Sequence, residues 1–77
     1  MAYTGKLTPA FIAKELEFYA KADRTHDPKQ YVGFGKHGGL RWEALPDIYL
    51  DWLVTKYYKS FNSLKEIERR MKQEQNQ

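Results

Sequence analysis

Lys36 and His37 stand between glycines in the run Gly35-Lys36-His37-Gly38-Gly39, with Arg41 close behind. Glycine lets backbone N–H groups approach an anion, and basic side chains around such a bend would add charge to a phosphate contact. The run is not a P-loop, because the G-x-x-x-x-G-K-[ST] spacing is absent. The same residues would also make a tight hairpin turn with solvated basic side chains. Trp52 offers a second candidate. With Lys56 and Lys59 it forms an aromatic–basic stripe at helical spacing, and Trp42 and Arg41 would lie nearby across the turn. Bases stack on exposed tryptophan while lysine meets phosphate. A domain this small needs its tryptophans inside, so packing of Trp52 beneath the turn, with lysine stems running outward, is the preferred reading.

Metal and catalytic chemistry find little to work with. His26 and His37 are the only histidines and there is no cysteine. A metal site needs three or four converging ligands, so no metal or cofactor is expected. Ser60 and Ser63 fall at helix ends, where capping explains them. Asp47 and Asp51 share a helix face four residues apart. They are read as solvated carboxylates that complement the helix dipole. Without a catalytic constellation, the chain is read as non-enzymatic.

The elements that would position these residues follow from punctuation and periodicity. At 77 residues, one domain is expected. The absence of cysteine fits a reducing compartment. No apolar run approaches the length of a membrane span and the N-terminus lacks a signal pattern, so a cytoplasmic protein is expected. Residues 1–7 read as a loose arm. Thr8 and Pro9 open a first helix as N-cap and first helical residue, and it should end near Ala22. Ile12, Leu16 and Tyr19 form its apolar stripe. Phe11 and Phe18 lie off that stripe, either as a partner or dimer surface or as a second buried edge. Tyr31–Gly35 and Leu40–Ala44 alternate like two strands of a hairpin. Pro46 starts a second helix, on which Tyr49, Leu50, Leu53, Val54, Tyr57 and Phe61 form one apolar face. Ile48 and Trp52 lie outside it. Ser63 with Glu66 fits a capping box for a third helix. In that helix Glu66/Arg70 and Glu68/Lys72 pair at i, i+4, which reads as a solvated surface first and a nucleic-acid stripe second. The polar residues from Lys72 onward read as a frayed tail. The fold class expected is α+β: helix, short β-hairpin and two helices.

The segment FGKHGGLRWEALPDIYLDWL resembles a small family of bacterial and phage modules with the pattern F-G-K-x-x-G, then L-P-x-x-Y-L-x-W. Stand-alone members are labelled uncharacterised or quorum-sensing-regulated virulence factors. A similar module forms the C-terminal appendage of some exodeoxyribonuclease X-type exonucleases. The matching residues are Phe34, Gly35, Lys36, Gly39 (or Gly38), Leu45, Pro46, Tyr49, Leu50 and Trp52, and the likeness covers about residues 31–70. Nuclease chemistry is not implied, because in those enzymes it belongs to a separate acidic, metal-dependent domain. The resemblance implies a DNA-proximal accessory role or an interaction module.

The functional expectation is a non-catalytic binding module. It would be a phage or bacterial accessory protein docking on a protein or protein–nucleic-acid complex, with inhibition of a host nuclease or defence system as one form. The alternative is direct DNA or RNA binding through Lys36, His37, Arg41, Trp42, Lys56 and Lys59. A net charge of +3 permits nucleic-acid contact without requiring it.

Overall fold

The computed structural model describes residues 3–21, 24–57 and 60–75. Thr8 opens α1 (Pro9–Leu16), its hydroxyl accepting from the Phe11 N–H, and Pro9 takes the first position, where no N–H is needed. The helix tightens into a 3₁₀ turn over Glu17–Tyr19. That end falls before the expected boundary at Ala22, itself outside the described residues. Pro46 precedes α2 (Asp47–Trp52), which widens into a π turn over Leu53–Tyr57. Helix α3 spans Phe61–Gln75. Its N-cap is Ser60, whose hydroxyl accepts from the Ser63 N–H, so the expected capping box at Ser63 and Glu66 is displaced by one turn. The backbone from Lys72 to Gln75 remains helical rather than frayed.

The expected α+β class is overturned: among the described residues every regular element is a helix, with no strand or sheet. Where a hairpin was expected, Tyr31 and Arg41 make one isolated antiparallel bridge. The two arms do return on each other, since Val32 N–H donates to Leu40 O (2.7 Å), Gly39 N–H to Val32 O (3.0 Å) and Trp42 N–H to Gln30 O (3.1 Å). The ladder stops there because Trp42–Ala44 winds into a 3₁₀ turn. Trp42 and Leu45 are both buried, and a three-residue turn brings i and i+3 to one side where strand alternation would part them. The alternation of Leu40, Trp42 and Ala44 thus described a local pattern that the core overrode.

The core lies where α1 and the 30–45 loop meet α3. Ile12, Val32, Trp42, Leu50, Leu64 and Ile67 are buried at its centre. The N-terminal arm joins it from Tyr3 onward, so described residues 3–7 are docked rather than loose. The Tyr3 ring is buried and its hydroxyl donates to Asp51 Oδ1 at 2.5 Å. Burial first, and that contact second, push the Tyr3 phenol upward. Asp51 Oδ2 accepts from Lys6 N–H (3.0 Å), and Asp47 Oδ2 accepts from the Thr4 N–H (2.9 Å) and hydroxyl (2.8 Å). The two carboxylates expected to be solvated therefore hold the arm.

A charged network crosses the same region. Glu66 is wholly buried. Its Oε1 faces His26 Nε2 (2.9 Å) and Arg69 Nε (3.1 Å), and its Oε2 accepts from Arg69 (2.7 Å) and Arg70 Nε (2.8 Å). Arg70 continues to Asp47 Oδ1 (2.6 Å) and the Trp42 carbonyl (3.0 Å). Glu66 and Arg70 are thus buried rather than part of the solvated surface read from the i, i+4 spacing, while Glu68 and Lys72 do pair at the surface, at 3.7 Å. Burial alone would raise the Glu66 carboxyl, but donors from His26, Arg69 and Arg70 outweigh it and hold it at about 2. Asp47 is also lowered, its burial outweighed by donors from Thr4 and Arg70.

Removing one member of a buried ion pair strands the other and costs about 3–5 kcal/mol. Glu66→Ala should therefore lose most of the stability expected for 77 residues. Urea unfolding checks this: a midpoint within error of wild type would show that the network is dispensable. Acid should act the same way. A folded-state carboxyl below its ordinary 4.5 contributes fully above that value, and its contribution fades as pH falls toward 2. The thermal midpoint should drop steeply across that window in wild type and much less in Glu66→Gln.

Candidate functional site

Helix α2 meets the glycine loop through rings. The His37 imidazole sits edge-on to Tyr49 at 4.3 Å. Tyr49 stacks with Trp52 (5.8 Å between centroids), and Trp52 with Tyr57 (5.4 Å, planes 8° apart). Tyr57 continues to Phe34 (6.2 Å), Phe34 to Trp42 (6.3 Å) and Trp42 to His26 (6.0 Å). The column therefore runs from the glycine loop to the buried Glu66 network.

The π turn makes the column continuous. At 100° per residue, Tyr57 would stand about 140° from Trp52 and face the core side of α2. In a turn bonded i to i+5, residues five apart come nearly above one another. Tyr57 accordingly leaves the apolar face assigned to it and lies 62 % exposed against Trp52. Ile48 and Trp52 fall outside the buried face as the periodicity indicated, at 80 % and 47 % exposure. Trp52 is not packed beneath the turn; it stands half out of the surface.

Beside this column lies a groove of about 540 Å³, bounded by Gly35, Lys36 and His37 on the loop and Ile48, Trp52 and Tyr57 on the helix. An adjoining depression of about 480 Å³ shares Ile48 and Trp52 and has Lys6 and Lys56 on its edge. Gly35 is obligatory to this shape. Its φ is +77°, and a Cβ there would sit 2.5 Å from the Tyr49 hydroxyl oxygen. The second left-handed position is Gly39 (φ +95°).

The residues singled out from sequence do not converge as one basic patch. Lys36 and His37 border the groove and Lys56 borders the neighbouring depression. The Arg41 guanidinium lies over the Tyr31 ring at 5.5 Å, and Arg41 does not line the groove. Trp42 is 3 % exposed, so its ring is unavailable to a partner; it is a core residue. Lys59 lies outside the described residues, as does the flanking Asp23 of His26. His26 contacts Asn62 (3.0 Å) and Glu66, and among the described residues no group of three potential ligands could hold a metal. Phe11 packs against the core, whereas Phe18 stands 86 % exposed. Among the groove residues that sequence reasoning passed over are Tyr49 and Tyr57, assigned to the buried face, and Ile48, whose signal was a bare aliphatic side chain off that face.

Neither family models nor searches of curated proteins and of solved structures find a match to this chain. Among the described residues no helix is long and apolar enough to cross a membrane.

The loop geometry sets a sharp contrast between two glycines. Gly35→Ala should cost about 1–3 kcal/mol through its φ and the Tyr49 overlap. Gly33→Ala has nothing within 4 Å of its new methyl and should stay within about 0.5 kcal/mol of wild type. Paired thermal melts decide it, and equal losses at the two positions would refute the clamped-loop geometry.

Proposed function

We propose that this chain is a non-catalytic docking module whose groove beside the glycine loop receives an acidic protein segment anchored by an apolar side chain. The observation that carries this reading is Ile48, 80 % exposed next to the half-exposed Trp52 and Tyr57. Apolar surface gathered in one concave place, with polar groups at its border, is the usual form of a protein contact. The charge around it favours an acidic partner. Lys36 stands at one end with no carboxylate in the groove lining, and Lys6 and Lys56 stand at the other. Asp47 and Asp51 share that depression with Lys6 and Lys56; both are turned to the N-terminal arm, and Asp47 is also ion-paired with Arg70, so the unanswered positive charge is at the Lys36 end.

Direct base recognition on the same face is less well supported. Trp52 already stacks with Tyr49 and Tyr57, and Trp42 is buried. The faces of Trp52 are therefore shared with its two tyrosine neighbours rather than offered to a base. A phage or bacterial accessory protein that grips a larger protein or protein–nucleic-acid machine, such as a host nuclease, suits this geometry and the family resemblance of residues 31–70.

Panning a phage-displayed library of random peptides on the whole chain tests the reading. The expected enrichment is of peptides combining aspartate or glutamate with a large aliphatic or aromatic residue. Binding of an enriched peptide should weaken at least tenfold in Ile48→Asp and in Tyr57→Ala, with the helical circular dichroism unchanged. Enrichment of basic peptides, or binding indifferent to both substitutions, would exclude the groove as the docking site.

A further inference from the structure

A second surface, sharing no residue with the aromatic groove, has different chemistry. Arg24, Thr25, His26 and Pro28 of the preceding loop and the outer face of α3 flank a cleft of about 410 Å³. Arg24, Lys65, Arg69 and Lys72 line it, and among the described residues Glu68 is the one carboxylate in the lining. Glu68 serves both neighbouring lysines, Lys65 at 3.2 Å and Lys72 at 3.7 Å, so one negative charge answers two positive ones. Arg69 is fixed on the buried Glu66 beneath. Arg24 is held by rings, its guanidinium 5.0 Å from the Phe61 centroid and 5.8 Å from that of Tyr19. A guanidinium placed this way keeps its planar fork of donors at the cleft wall, where it suits an oxyanion. Among the described lining residues, and with Arg69 assigned to Glu66, the cleft keeps a positive excess.

We propose that this cleft is a phosphate track for a nucleic-acid strand. The cations come from both walls of the cleft, Arg24 from the loop and Lys65 and Lys72 from α3. The two lysines rise from α3 two turns apart and converge on Glu68 Oε1. A strand laid between the walls presents a row of phosphates to both. Phe61 is buried under Arg24, and among the described residues no exposed ring lines the cleft, so recognition there is by backbone charge, independent of sequence. The site stands apart from the protein-docking reading. Together the two would let the module hold a protein on one surface and a strand on the other.

Fluorescence anisotropy with a fluorescein-labelled oligothymidylate, titrated with the whole chain, tests the track. Three cations on a single strand give a salt slope of about −2, so affinity should fall roughly 20-fold between about 50 and 200 mM salt. Arg24→Glu and Lys72→Glu should each weaken binding at least fivefold and flatten that slope by about one. Lys14→Glu, the same change of charge on α1, should alter affinity less than twofold. Lys72 is 67 % exposed at its side chain, so Lys72→Glu carries the test if Arg24→Glu disturbs the helical circular dichroism. No binding at about 50 mM salt, or an equal loss in Lys14→Glu, would overturn the proposal. Complete displacement by millimolar inorganic phosphate would replace the track with a single-anion pocket. Competition by polyglutamate as strong as by the oligonucleotide would exclude a preference for phosphate.

Discussion

Glu66 is sealed from water and ringed by donors from three directions, and the rest of the molecule is arranged around that fact. A buried carboxylate is tolerated only if its lone pairs are met and its charge is balanced. Arg70 supplies the balance and then passes it on to Asp47 at the head of α2 and to the carbonyl of Trp42. One guanidinium thereby ties α3 to the second helix and to the loop that carries the ring column. Asp47 in turn receives Thr4 of the arm. A chain without disulfides, with too small a core to be indifferent to its polar groups, gains a unique arrangement from this set of directional contacts.

The groove follows from that arrangement. Arg70 fixes where α2 begins, Gly35 lets the loop approach Tyr49, and the π turn swings Tyr57 outward onto Trp52. The aromatic rings, which composition alone suggests are all core, divide into two groups. Trp42 and Phe61 are buried, while Trp52 and Tyr57 leave ring surface to solvent in company with Ile48. The exposed apolar surface is thus a product of local helix geometry and is not a failure of the core to cover itself.

Much of the helical framework was legible in residue types. Thr8 with Pro9, and Pro46 ahead of Asp47, marked two helix starts that the structure keeps. The periodicity of α2 correctly set Ile48 and Trp52 apart from the buried face. The return of the chain at the glycines was visible too, but its classification as a hairpin was not sustained, because alternation over Leu40–Ala44 cannot reveal that Trp42 and Leu45 must reach the same side. Tyr57 was misplaced for a related reason: a wheel drawn at 100° per residue contains no π turn. Glu66 and Arg70 show the deepest limit. Their spacing announces a pair, but whether that pair faces water depends on His26 and Asp47, which lie 40 and 23 residues away along the chain.

The ionisation of Glu66 is the most direct measure of this account. Carbon-13 labelling of the glutamate carboxyls and titration by NMR would follow it alone among its neighbours. The Glu66 carboxyl should still be ionised near pH 3, well below the ordinary 4.5, with the Arg70 Nε–H resonance slow to exchange over the same range. A Glu66 carboxyl that titrates near 4.5 with the exposed glutamates, beside an Arg70 Nε–H in fast exchange, would contradict it.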